Sequence, residues 1–216
     1  HKKYFLLQRN NYLSKTQKKI RKIFGRYLFT NFFVNYCNPI SEINKKLNKD
    51  FSQEFEELLK YLPLKTNYIL DIGAGLGIID IYLNAYYPNK INFTLIDKDK
   101  IEKKVKYGFD QSGQAYNSIN LTKSFLIQNG ICQSQFQVIN ADKNYKITQK
   151  FDLIISLLSM GYHYPISQYI NICNDNTHDK TVFIFDIANE YNDFNEIKNM
   201  FDKVEVIKKS LEIRHN

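Results

Sequence analysis

Two hydrophobic rhythms divide this chain. Up to about residue 64 apolar side chains recur at helical spacing, and from Asn67 short apolar runs alternate with helical stretches. Over Lys15–Arg26, Ile20, Ile23 and Phe24 fall at i, i+3 and i+4 among basic residues. Phe51, Phe55, Leu58, Leu59 and Leu62 repeat that spacing until Pro63 stops it. The second part predicts strands over 68–72, 91–96, 136–140, 151–158 and 181–186, and helices over 75–86, 117–128 and 192–201. Val204–Lys208 and Leu211–Arg214 read as a closing pair of strands. The alternation predicts a doubly wound, mostly parallel α/β domain over residues 65–216, with 1–64 as a helical cap or arm.

The first strand runs into Gly73-Ala-Gly-Leu-Gly77. Glycines at a strand-to-helix turn let the backbone approach a ligand closely, since no Cβ intervenes. In doubly wound sheets that turn lies at the carboxyl edge, where ligands bind. A dinucleotide fingerprint, G-x-G-x-x-G, needs its third glycine at position 78, which is Ile78. The spacing here therefore disfavours a nicotinamide dehydrogenase. Asp71, two residues before Gly73, would repel a pyrophosphate but attract the sulfonium and ammonium of S-adenosylmethionine. The competing reading is a turn that only packs helix on strand.

A second acid, Asp97, ends the second strand 24 residues after Gly73. This is near the offset at which a carboxylate accepts from ribose hydroxyls. Lys98 follows it and joins the expected cofactor set. After the third strand, Asn140-Ala-Asp142 places an acid where an adenine amino group could donate, although Asp142 equally suits a cap. With these residues in place, 67–214 resembles the class I S-adenosylmethionine-dependent methyltransferases, which have a Rossmann-like fold. Asp71, Gly73, Gly75 and Gly77 match their first motif, Asp97 the acid after it, and Asn140–Asp142 their adenine-binding segment.

Shorter stretches, Tyr107–Phe109 with Ala115–Ser118 and Ser156–Pro165, resemble sugar O-methyltransferases of surface-polysaccharide clusters. That resemblance implies a small-molecule or glycan-precursor acceptor, a sugar hydroxyl on a nucleotide- or lipid-linked and so phosphorylated carrier. A hydroxyl needs its proton removed, and His163, after the fourth strand, is the candidate base. Its alternative is a loop histidine that bonds to backbone or only orients the acceptor. Tyr162 and Tyr164 flank it as candidate substrate walls, and Tyr107 and Tyr116 as part of a flap; all four equally suit packing. Asp186 ends the fifth strand on the same side, or caps its loop. His, Cys and acidic residues show no ligand spacing, so no metal is expected.

Charge adds one question. The net charge is +8, yet residues 1–41 hold nine basic and no acidic side chains, leaving 21 basic against 22 acidic in 42–216. A basic arm suits nucleic acid, anionic lipid or a phosphorylated substrate; the plain alternative is a solvated helix face. A nucleic-acid methyltransferase is thus the rival enzyme, although Ser156-Leu-Leu-Ser-Met160 lacks the Asp/Asn-Pro-Pro-aromatic segment of base amino-methylation. A non-catalytic S-adenosylmethionine-binding protein is the rival of another class. Cys37, Cys132 and Cys173 form no CxxC pair and suit free thiols in a reducing, cytoplasmic setting. The greasiest window, 27–37, is too short to span a bilayer.

Overall fold

In the computed structural model, residues 15–25, 29, 40–88, 90–100, 117–161, 164–187 and 194–207 are described. Five parallel strands run β1 Tyr68–Ile72, β2 Asn92–Asp97, β3 Phe136–Asn140, β4 Leu153–Ser156 and β5 Val182–Phe185, in the order β3-β2-β1-β4-β5. The helices are α1 Lys15–Phe24, α2 Ile40–Leu58, α3 Ile78–Tyr86, α4 Ile119–Gln128, α5 Ile170–Asp175 and α6 Phe194–Met200. Single 3₁₀ turns lie at Leu59–Tyr61, Gln133–Gln135 and Ile166–Tyr169. This is a Rossmann-like doubly wound sheet, and the chain reverses its direction of travel between β1 and β4.

Strand residues alternate between two cores. Ile69, Leu95, Leu153 and Ile155 pack with Phe55, Leu58, Ile79, Leu83 and Leu126, the side of α2, α3 and α4. Leu70, Ile72, Ile96 and Ile154 pack with Ile166, Tyr169, Cys173 and Ile197, the side of α5 and α6. Burial on both faces explains the mainly apolar runs of β1, β2 and β4, while the edge strand β3 exposes Gln137. Asp71 shares the parity of Ile69 and therefore points to the α3 side.

Three expectations need correction. The helix read from Gly75 begins at Ile78, because Gly73, Gly75 and Gly77 have φ of +78°, +59° and +71°. The fourth strand ends at Ser156 instead of Leu158, whose φ of +59° is left-handed. Among the described residues Val204–Ile207 pair with no strand: Val204 and Ile207 pack against the two opposite cores and Val206 is 52% exposed. The proposed partner, 211–214, lies outside the described residues. Among the described residues, Cys132 and Cys173 are free, and no helix is long and apolar enough to cross a membrane.

The amino ends of the strands are tied by Asp152. Its Oδ2 accepts from the backbone N–H of Asn67 at 2.7 Å and of Tyr68 at 3.0 Å, and its Oδ1 meets His178 Nε2 at 3.1 Å. Burial favours the neutral acid, but the two N–H groups and His178 outweigh it and hold Asp152 below the ordinary carboxylate range. A depressed folded pKa gives stability that is present above the unfolded value near 3.8 and lost as pH falls through the folded one. Asp152→Asn should therefore lower the melting temperature at pH 7, with the gap to the parent closing below about pH 4. A constant gap across that range, read by thermal denaturation, would show that the charge is irrelevant.

Candidate functional site

The site is built at the carboxyl ends of β1, β2 and β4. Gly73 N–H donates to Ile96 O at 2.7 Å, so the chain leaving β1 is held on β2. A Cβ at Gly73 would stand 2.0 Å from Ser159 Oγ and 2.2 Å from Ser159 Cβ. The loop after β4 thus presses directly on the first glycine. Ser156 Oγ ties that loop to β1, donating to Ile72 O at 2.7 Å and accepting from Met160 N–H at 2.9 Å. Leu158 N–H donates to Asp186 Oδ2 at 2.9 Å, which places Asp186 in holding the left-handed Leu158. A strained, over-determined backbone at a strand end is the kind of feature functional loops retain.

The second glycine is fixed from both sides. Gly75 N–H donates to Asp97 Oδ2 at 2.6 Å, and Gly75 O accepts from Asn117 Nδ2 at 2.7 Å and Thr122 Oγ1 at 2.6 Å. Asn117 Nδ2 also reaches Asp97 Oδ2 at 3.1 Å, and Asp97 Oδ1 accepts from Lys98 N–H at 2.6 Å. A carboxylate offers about four acceptor positions, so three donors leave Asp97 about one for a ligand. Burial pushes the Asp97 carboxyl up to about 6, with the amides of Gly75, Lys98 and Asn117 and the Lys98 charge pulling it back. Near neutral pH it is mostly ionised and able to accept.

Lys98 and Asp142 face one another at 3.5 Å, and Lys98 Nζ lies 5.1 Å from the centre of the buried Tyr164 ring. Asn140 Oδ1 accepts from Asp142 N–H at 3.0 Å, fixing the bend after β3. The Asp142 carboxylate is half exposed, so its pairing with Lys98 is weak and easily exchanged for a ligand. Tyr169 is buried in the same neighbourhood, its hydroxyl pushed up by desolvation and by Tyr164, Tyr145, Asp97 and Asp142.

The expected cofactor residues Gly73, Gly75, Gly77, Asp97, Lys98, Asn140 and Asp142 therefore share one edge of the sheet. Asp71 stands below the turn, 3% exposed, against Asp80 of α3. Tyr107, Tyr116, Tyr162 and His163 lie outside the described residues. Sequence reasoning missed Asn117, Thr122 and Ser159, which hold the turn across 42, 47 and 86 residues of chain. A polar pair at the start of the helix that follows β2 was the available signal for the first two. Among the described residues no group of His, Cys, Asp and Glu is arranged to hold a metal ion.

No protein-family model matches the chain, and no curated protein matches it. Among solved structures it is similar to StiE O-MT, with 14% identity and a TM-score of 0.45 over 62% of this chain and 42% of the other. A SAM-dependent methyltransferase from Thiobacillus denitrificans, in complex with S-adenosyl-L-homocysteine, has 16% identity and a TM-score of 0.43 over 62% and 47%. The O-methyltransferase TomG from Streptomyces achromogenes, involved in tomaymycin synthesis, has 15% identity and a TM-score of 0.41 over 64% and 60%. The chain thus spans less than two thirds of each, and the likeness is one of fold.

Proposed function

We propose that this chain is an S-adenosylmethionine-dependent methyltransferase acting on a hydroxyl of a sugar or sugar-linked precursor. The supporting observation is the peptide of Gly75, clamped between the carboxylate of β2 and the start of α4. That clamp leaves a Cβ-free edge beside one unused acceptor position of Asp97, which suits a ribose hydroxyl. The sheet edge also offers Asp142 to an adenine amino group.

Bound there, S-adenosylmethionine supplies an activated methyl group on a sulfonium. The residues of the chain then have three tasks. Asp97 and the turn orient, where positioning alone is worth roughly 7–11 kcal/mol. Tyr164 and Tyr169 line the apolar side and keep water out. His163 would take the proton of the acceptor hydroxyl, a role worth about 10²–10⁴-fold. The exposed Lys18, Lys19 and Lys22 of α1 suit a phosphorylated carrier on the acceptor.

Incubation with labelled cofactor and a panel of sugar nucleotides tests this reading. Label should appear on an acceptor oxygen, and His163→Ala should lower turnover by at least about 10²-fold with the cofactor Kd unchanged. Survival of full turnover would place the base elsewhere. A nucleic-acid substrate would instead show RNA binding that weakens steeply with salt.

A further inference from the structure

Asp80, in the first turn of α3 directly behind the glycine turn, is 0% exposed, yet neither of its carboxylate oxygens finds an N–H or hydroxyl donor on another residue, its own backbone N–H alone steadying it. A Cβ at Gly77 would stand 3.1 Å from Asp80 Oδ2, so the carboxyl lies against the turn's last glycine. The group it does meet is the carboxyl of Asp71, itself buried at the end of β1. Among the described residues neither acid has an ion pair, and the further charge acting on Asp71 is the acidic Asp97 of β2. From α4 the side chains nearest this edge are the neutral Leu126 and Thr122. Two buried carboxylates without a counter-charge cannot both ionise at small cost, and a shared proton between them relieves both.

Building on the methyltransferase reading, we propose that Asp71 and Asp80 hold one proton between them, and that Asp80 thereby sets the charge the turn presents to a cationic ligand. Asp71 precedes Gly73 by two residues, about 7 Å of extended chain, so its ionisation is felt at the turn. A cation arriving there favours the ionised pair and expels the proton. Once the sulfonium becomes a neutral thioether, the proton returns and that attraction falls. Asp80 is in this sense a positioning residue that separates the charged cofactor from its spent form.

Burial pushes Asp80 up to about 7 and Asp71 well above the carboxylate range, the latter aided by Asp80 and Asp97. Raised folded values mean that the folded chain binds more protons than the unfolded one. The pair's contribution to stability is then fully present below about pH 4 and is lost as pH rises toward 7.

The test uses Asp80→Asn, whose amide donates to Asp71 and keeps it ionised. Without ligand, the parent's melting temperature should fall from pH 5 to pH 8, and D80N should fall less. With S-adenosylmethionine, the parent's Kd should tighten by up to about tenfold per pH unit from pH 6 to 8. D80N should lack this extra pH dependence and bind more tightly than the parent at pH 6. The ligand's own ionisation is common to both chains and cancels. Calorimetry of the parent at pH 6, where the ligand's α-amino group is already protonated, in two buffers of different ionisation enthalpy counts the expelled proton, and serves alone if D80N does not fold.

Parallel melting profiles for the two chains, or no proton released on binding, would overturn the proposal. A flatter D80N profile, with neither chain binding an adenosyl ligand, would instead uphold the proton pair and refute the methyltransferase reading.

Discussion

Gly73→Ala is expected to lose cofactor binding and about 2–5 kcal/mol of stability, combining left-handed backbone strain with an overlap in packed surroundings. The added Cβ meets Ser159 Oγ at 2.0 Å, while φ at Gly73 is +78°. Ser159 cannot give way easily, because the loop that carries it is fixed by Ser156, Asp186 and the left-handed Leu158. The variant should therefore melt on the order of 10 °C lower. A second change separates the two causes. Ser159→Gly removes both clashing atoms and leaves Ser159 Cα at 3.7 Å, an ordinary contact. The G73A/S159G pair should recover the overlap part of the loss and retain the strain part. Equal melting temperatures for single and double variants would show that Ser159 is not the obstacle.

Asp97→Ala should weaken S-adenosylmethionine binding by about 10- to 150-fold, the worth of one hydrogen bond to a charged group. Part of this loss comes through the turn itself, since Gly75 N–H loses its 2.6 Å acceptor. Asp97→Asn distinguishes the contributions: its amide oxygen still accepts, but without charge and at one atom. An intermediate loss is expected for D97N. Affinity unchanged in D97A, measured by calorimetry, would show that ribose is held elsewhere.

What was legible in the chain was local. Tyr68–Ile72 could be bounded to the residue because its buried run is cut by glycine, and Phe136–Asn140 because its apolar positions end at a polar bend. The glycine spacing and the Asp97 offset located the sheet edge for the same reason, since strand and turn geometry fix both. The start of α3 was misjudged because three consecutive alternate glycines in left-handed conformation delay the helix, and composition alone does not show φ. Asp71 is expected beside the cationic ligand, and the strand's alternation turns its side chain toward α3, where it meets Asp80. No spacing rule links residues 71 and 80, nor Gly73 with Ser159. Those encounters arise only when α3 and the post-β4 loop close over the end of β1. The closing strands misled for a related reason: Val204, Val206 and Ile207 carry strand-forming side chains, but a strand also needs a partner, and among the described residues the sheet pairs with none of them.

The central claim is that the Cβ-free turn and Asp97 hold an adenosyl cation. Isothermal titration of the chain with S-adenosylmethionine, S-adenosylhomocysteine and a nicotinamide dinucleotide tests it most directly. The account predicts saturable one-to-one binding of the two adenosyl ligands, abolished in G73A, and no heat from the dinucleotide. Binding of the dinucleotide, or silence from both adenosyl ligands, would contradict it.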